Sequence, residues 1–234
     1  MRVGESVPGL FVVGTDTGVG KTYVAARIAA ALCRAGKKVG VYKPTASGCR
    51  RVSGELVSDD ALALWEAAGK PESLEAVCPQ RFFAPLAPHL AAREEGKEID
   101  AALLRQGLKV WQQISEIIIV EGAGGLMSPL GDHEYVADLA ADFGFPLVVV
   151  APNRIGVINS TLLTIKAAAA RSKPLTVAGI VLNDVQQSDA DPSIHSNHRQ
   201  LELHCDMPVL AQLGHGAADF DTAVDWMSLA DALR

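Results

Sequence analysis

The apolar run Leu10-Phe-Val-Val13 gives way at once to GTDTGVGKT (14–22), and an alanine-rich stretch follows to Arg34. A buried strand, a glycine-rich turn and a helix, in that order, constrain the fold more than anything else in the chain. Such a turn aims several backbone N–H groups, and the positive end of the helix, at one point, which suits a phosphate. Gly18 and Gly20 permit tight curvature, Lys21 offers a point charge to β- and γ-phosphates, and the Thr22 hydroxyl suits Mg2+. The usual spacing places a glycine five residues before the GK pair, at Thr15, whereas here Gly14 stands one position earlier. That offset reshapes the loop without removing its donors. A plain glycine-rich turn is the alternative reading of these residues.

Downstream, short β-branched runs alternate with alanine- and leucine-rich segments, the pattern of a mostly parallel sheet with helices on both faces. Strands are expected at 10–13, 38–42, 116–120, 147–150, 178–182 and 209–213. Helices are expected at 20–34, 59–68, 100–113, 135–142, 158–171, 192–204 and 221–233. The proline-bearing stretch 77–88 reads as an ordered irregular connection rather than a linker, and 186–192 as a mobile loop. With no internal repeat, residues 1–234 read as one α/β domain.

The chain carries a net charge of −6 and no lysine- or arginine-rich run. Nothing therefore points to nucleic acid or an anionic membrane as a partner. The longest apolar stretches, such as 146–152, are strand-length and too short to span a bilayer. The start MRVGESVPG lacks the basic-then-apolar pattern of a secretory signal, so a cytoplasmic protein is expected. Cys33, Cys49, Cys78 and Cys205 have no paired spacing and read as scattered reduced thiols. His195, His198 and His204 read as a solvated helix, because no nearby cysteine pair completes a zinc set.

Ligands of such sheets gather beyond the carboxyl ends of the strands, and the chemistry-bearing residues follow the strands closely. Ile117-Ile-Ile-Val120 ends in Glu121, followed by Gly122-Ala-Gly-Gly125. An acid there suits a metal, held directly or through water, and the glycines behind it suit close approach by a ligand. A surface glutamate before a turn is the alternative. Asp59 and Asp60 follow Ser58 at a helix start, where carboxylates are favoured by the helix end alone. Lys43, after the second strand in YKPTASG, is either an exposed lysine or a stabiliser of charge in phosphoryl transfer. Ser47 either contacts substrate or caps a turn.

Taken together, GTDTGVGKT, YKPTASG, SDDALAL, VEGAGG and VLNDV resemble the dethiobiotin synthetase family in order and separation, from near residue 10 to beyond residue 183. The early glycine is itself a feature of that family, whose loops open with GTDT. The resemblance implies a single-domain P-loop NTPase fold and a homodimeric, ATP-dependent ligase of biotin synthesis. Its substrates would be 7,8-diaminononanoate, CO2 and ATP, with Mg2+ as cofactor. One amine would form a carbamate with CO2, and the carbamate would attack the γ-phosphate to give a carbamic–phosphoric anhydride. The second amine would then displace phosphate and close the ureido ring.

The same resemblance implies roles at matching positions. Lys21 and Lys43 would flank the phosphoryl and carbamate groups, Thr17 and Ser47 would contact that region, and Thr22, Asp60 and Glu121 would hold Mg2+. Backbone donors of Gly18, Val19, Gly20, Lys21, Thr22 and Tyr23 would wrap the phosphates, and Gly122, Ala123 and Gly124 would approach nucleotide and substrate. Asn183 matches an adenine-reading asparagine, whose amide both donates and accepts, with Asp184 beside it. RIGVINS (154–160), including Gly156, Val157 and Asn159, resembles the part that reaches a neighbouring subunit's substrate, its helix start suiting a carboxylate. Two departures stand out. Gly18 replaces a glutamate found in some members, and QLGHGAAD (212–219) replaces a proline- and aromatic-containing stretch lining the adenine pocket. Gly214, His215 and Gly216 thus fall at the base without the usual bulk, and looser nucleotide selectivity is expected. Partition-type switch ATPases share the deviant loop but carry a signature lysine where this chain has Asp16. Cobyrinate-type amide synthetases need an added glutaminase domain, for which this chain is too short.

Overall fold

The computed structural model describes residues 7–186 and 191–232. The chain runs β1 (Gly9–Gly14), α1 (Lys21–Arg34) and β2 (Val39–Tyr42). Short elements follow: β3 (Thr45–Ala46), β4 (Arg50–Val52), β5 (Glu55–Val57), α2 (Asp59–Ala67), α3 (Leu74–Val77), β6 (Gln80–Arg81) and α4 (Pro88–Glu94). Next come α5 (Ala101–Gln106), α6 (Leu108–Ile114), β7 (Ile117–Gly125), α7 (Val136–Phe143), β8 (Leu147–Pro152), α8 (Val157–Ala169) and β9 (Val177–Asn183). A 3-10 turn at Pro192–His195, α9 (Asn197–His204), β10 (Val209–Leu213) and α10 (Trp226–Ala232) complete the described chain.

All six expected strands join one sheet of order β10-β9-β8-β1-β7-β2, and every pairing in it is parallel. β1, β2 and β8 are buried along their whole length, as strands covered on both faces must be. The path from β1 to β2 steps one way across the sheet, and the path from β7 through β8 to β10 steps the other. Right-handed crossovers therefore set α1 on one face and α7, α8 and α9 on the opposite face. The reversal falls at β1, between β7 and β8, and the crevice at such a switch point is where ligands bind. α1 buries Val24, Ala25, Ile28, Ala29 and Leu32, a helical stripe against the sheet.

Three helices differ from expectation, each through tertiary contacts. The segment expected as one helix at 100–113 divides into α5 and α6 at Gly107. The Tyr42 hydroxyl, which donates to the Leu104 carbonyl at 2.9 Å, fills the space a Gly107 side chain would take. Residues 192–204 begin as a 3-10 turn, capped by Asp191 onto the Ser193 N–H, and only Asn197–His204 is α-helical. The last helix starts at Trp226 rather than 221, because Asp221 pairs with the backbone of Gln212 through both its N–H and its carboxylate. The loop expected at 186–192 includes residues 187–190, outside the described residues, as are residues 1–6 of the N-terminal stretch.

Candidate active site

The register of the sheet builds the charged centre. Tyr42 pairs with Val120, so the next residues of β2 and β7, Lys43 and Glu121, emerge side by side at the carboxyl rim. Lys43 Nζ donates to Glu121 Oε1 at 2.5 Å and to Asp60 Oδ2 at 2.8 Å. The Thr22 hydroxyl donates to the same Glu121 oxygen at 2.8 Å. Ser58 caps α2 by accepting from the Ala61 N–H, which leaves its two acids free for different tasks. Asp59 turns outward to Arg50, and Asp60 turns inward to Lys43. Both acids lie in the first turn of α2, where the helix end favours them, but only Asp60 also meets the lysine.

The loop enters α1 through Gly20, whose φ of 86° is a left-handed conformation natural to glycine. Lys21 is buried and donates to the Asp16 carbonyl of its own loop at 3.1 Å. On the facing strand, a side chain at Gly122 would come within 2.8 Å of Val136 and 3.1 Å of Phe11, so only glycine lets β7 lie this close. Thr17, Gly18, Gly20, Lys21, Thr22, Tyr23, Lys43, Ser47, Asp60, Glu121, Ala123 and Gly124 all line one cavity of about 490 Å³. Thr45 lines it too. That residue was passed over, although the two-residue strand period from Lys43 through Thr45 to Ser47 marks it.

Charge in the cavity is set by burial working against pairing. Burial pulls the Lys21 ammonium below its usual pKa, with Glu121 opposing and Lys43 reinforcing the shift. Burial would lower Lys43 as well, but Glu121 and Asp60 outweigh it and hold this ammonium charged well above the usual lysine range. Asp60 sits below the usual carboxylate range: burial would raise it, and the attraction of Lys43 prevails. Burial pushes Glu121 up, with Lys43 pulling the other way.

Glu121 is 1% exposed, and its Oε2 has no hydrogen-bond partner. A buried carboxylate oxygen left bare is costly and is what a cation ligand looks like before its cation. Thr22, Asp60 and Glu121 supply hard oxygen donors, fitting Mg2+, which usually takes one or two carboxylates and leaves other positions to water and phosphate. Among the described residues, no cluster of three or more His, Cys, Asp or Glu forms an all-protein metal cage. The four cysteines are free thiols.

The other half of the rim is arranged differently. Asn183 is buried beneath the loop, donating to the Val19 carbonyl at 2.9 Å, while its Oδ1 has no partner. A side chain on Gly20 would collide with that amide. The Asp184 carboxylate accepts from Asn153 at 2.8 Å and from Gln212, tying together the ends of β8, β9 and β10. Asp184 and His215 line a second cavity of about 500 Å³, together with Asn153, Arg154 and Ile155. Gly214 and Gly216 belong to the same turn as His215 but line neither cavity. Gly156, Val157 and Asn159 open α8, with Val157 buried and Gly156 and Asn159 exposed, and none of them reaches the charged cavity of its own chain.

A family model described as an AAA domain matches residues 8–216. The ATP-dependent dethiobiotin synthetase BioD of Rhodopirellula baltica is 42% identical over 214 residues, covering 87% of this chain and 82% of that protein. The enzyme of the same name from Anaeromyxobacter dehalogenans is 46% identical, over 82% of this chain and 83% of its own.

The chain belongs to the dethiobiotin synthetase family.

The Bacillus subtilis dethiobiotin synthetase agrees, at 38% identity over 86% of this chain and 85% of its own. Among solved structures, a ParA family ATPase from Chlorobium tepidum matches 89% of this chain and 84% of its own, with a TM-score of 0.55 at 16% identity. The signal recognition particle receptor FtsY from Elizabethkingia anophelis in complex with GDP has a TM-score of 0.54 at 16% identity and is covered over 65% of its length. At such identities the likeness concerns the fold.

Proposed function

We propose that this chain joins CO2 to 7,8-diaminononanoate at the expense of ATP and closes the ureido ring of dethiobiotin. It is an ATP-dependent ligase of biotin synthesis, and residues 1–234 form one synthetase domain working in the cytoplasm. The observation carrying this reading is the meeting of two buried ammonium groups and two carboxylates at the phosphate loop. One substrate amine adds to CO2 and loses a proton, giving a carbamate. A carbamate oxygen attacks the γ-phosphorus as the bond to the bridging oxygen breaks, releasing ADP. The second amine attacks the carbonyl carbon, the bond from that carbon to the phosphate oxygen breaks, and phosphate leaves as the ring closes.

The protein's own part is placement and charge. Backbone N–H groups of 18–23 hold the phosphates, and Lys21 loses its contact with Asp16 to meet them. Lys43, fixed between Glu121 and Asp60, faces the carbamate and the transferring phosphoryl group, where charge spreads over several oxygens. Thr22, Asp60 and Glu121 would hold magnesium, which would supply positive charge against the same developing negative charge. Because both amines belong to one bound molecule, the second attack is intramolecular and needs no further encounter. Gly156, Val157 and Asn159 of a second copy receive the substrate carboxylate, which makes the working unit a homodimer.

Purified protein, Mg-ATP, bicarbonate and the diamine should together yield dethiobiotin by mass, with ADP and phosphate in equal amounts. ATP hydrolysis without that product would refute the reading and favour a nucleotide switch.

A further inference from the structure

Tyr23 follows Thr22 at the start of α1 and lines the charged cavity. Its hydroxyl donates to the carbonyl of Ala217 at 2.5 Å, joining the first turn of α1 to a segment near the other end of the chain. The Arg27 guanidinium, one helical turn on, lies 4.8 Å from the ring centroid and braces the ring against the helix. Ala217 closes a short turn by donating its N–H to the Gly214 carbonyl at 3.0 Å. Within that turn, His215 lines the second cavity and places Nδ1 3.1 Å from the Val185 carbonyl. The turn is therefore held at Ala217 by Tyr23 of the charged cavity and at His215, which lines the second cavity, by the Val185 carbonyl.

Apart from these tethers, the turn is held by Ala217 packing against the core and by the Asp184 N–H on the Leu213 carbonyl just before it. Gly214 and Gly216 bring no side chain to pack, and Gly216 sits at a φ of 70°. A glycine-rich segment has many conformations in reach, so its position depends on its tethers. Tyr23 stands last among the proposed phosphate donors, and the turn its hydroxyl holds carries His215 into the neighbouring cavity, the space left for a nucleoside once phosphates sit on the loop.

We infer that Tyr23 is a positioning residue for the nucleoside half of ATP, latching the Gly214–Ala217 turn in place beside it. The inference rests on the nucleotide reading of the loop and adds a specific role for a side chain otherwise counted only for its backbone. The phosphates bind the loop whether or not the latch is closed, whereas the nucleoside needs the turn.

Tyr23→Phe tests this by keeping the ring and removing the hydroxyl. Affinities for ATP and for inorganic tripolyphosphate would be measured by calorimetry on wild type and variant, with thermal melting to verify the fold. Loss of one neutral hydrogen bond weakens binding about 2- to 12-fold, and that loss should fall on ATP, raising its KM, while tripolyphosphate keeps its affinity. Equal weakening of both ligands would show that the tyrosine shapes the phosphate loop itself, and unchanged ATP affinity would show that the latch does nothing; either result overturns the inference. A variant that unfolds would be replaced by Tyr23→Trp, expected to show the same split. If the split appears in a protein that makes no dethiobiotin, the proposed reaction fails and the latch stands.

Discussion

At the ends of β1, β2 and β7, nearly every side chain singled out from the sequence falls in one cavity, within hydrogen-bond reach of a neighbour. At the ends of β8, β9 and β10, the singled-out residues divide among a second cavity, interior hydrogen bonds and an exposed helix start. The first group stands on strand ends whose relative positions the sheet register fixes. The second stands on loops, where a residue's neighbours depend on the path of segments far away in sequence. On the proposed reading, chemistry is concentrated where the backbone is fixed by the ladder, and selectivity where it is not.

Lys43→Ala strikes the fixed side hardest. Turnover should fall about 10²–10³-fold, the usual loss for one preorganised charge stabiliser. The structure adds a second consequence: Glu121 would be left buried without its partner, costing about 3–5 kcal/mol of stability. That cost should depend on pH. Without Lys43, burial and the Asp60 charge, opposed only in part by the Thr22 hydrogen bond, push the folded pKa of Glu121 up further. A carboxyl raised on folding contributes stability that is present below its unfolded value, about 4.3, and is lost as pH rises through the folded value. Melting curves should therefore show the variant close to wild type near pH 4 and falling behind toward pH 7. A gap that stays constant with pH would mean that Lys43 and Glu121 do not share a field.

Glu121→Gln comes next. If Glu121 holds magnesium as proposed, the half-saturating magnesium concentration should rise at least about tenfold, since even outer-shell changes cost that much, and turnover should drop with it. An unchanged magnesium titration would move the metal elsewhere.

The loop side offers a smaller but sharper signal. If α8 of one copy serves the cavity of another, mixing two inactive variants, Lys43→Ala and Asn159→Ala, should restore about a quarter of wild-type activity. Half of the randomly paired symmetric dimers are mixed, and each mixed dimer has one intact site. No recovery after unfolding and refolding the mixture would confine each site to a single chain.

The sequence carried most of the sheet and the charged cavity, because both follow from local signals. All six long strands were legible as β-branched runs, and Lys21 and Glu121 from their place in the loop or after a strand, whereas Lys43 and Asp60 read equally well as surface residues until the family resemblance drew them in. What escaped was tertiary. The break at Gly107 comes from the Tyr42 hydroxyl pressing into the helix, and the late start of α10 from Asp221 pairing with Gln212. The Asn183 amide, matched to a base, is turned under the loop toward the Val19 carbonyl. The Tyr23–Ala217 latch joins positions 194 residues apart, and no local pattern announces it.

The account stands or falls on whether a carbamate oxygen attacks the γ-phosphorus in this cavity. Bicarbonate labelled with 18O, added with Mg-ATP and the diamine and quenched before exchange with water, tests that step directly. The proposed bond changes leave one bicarbonate oxygen on each phosphate released, in proportion to the dethiobiotin formed. Unlabelled phosphate, whose fourth oxygen comes from solvent rather than from bicarbonate, would contradict it whatever else is produced.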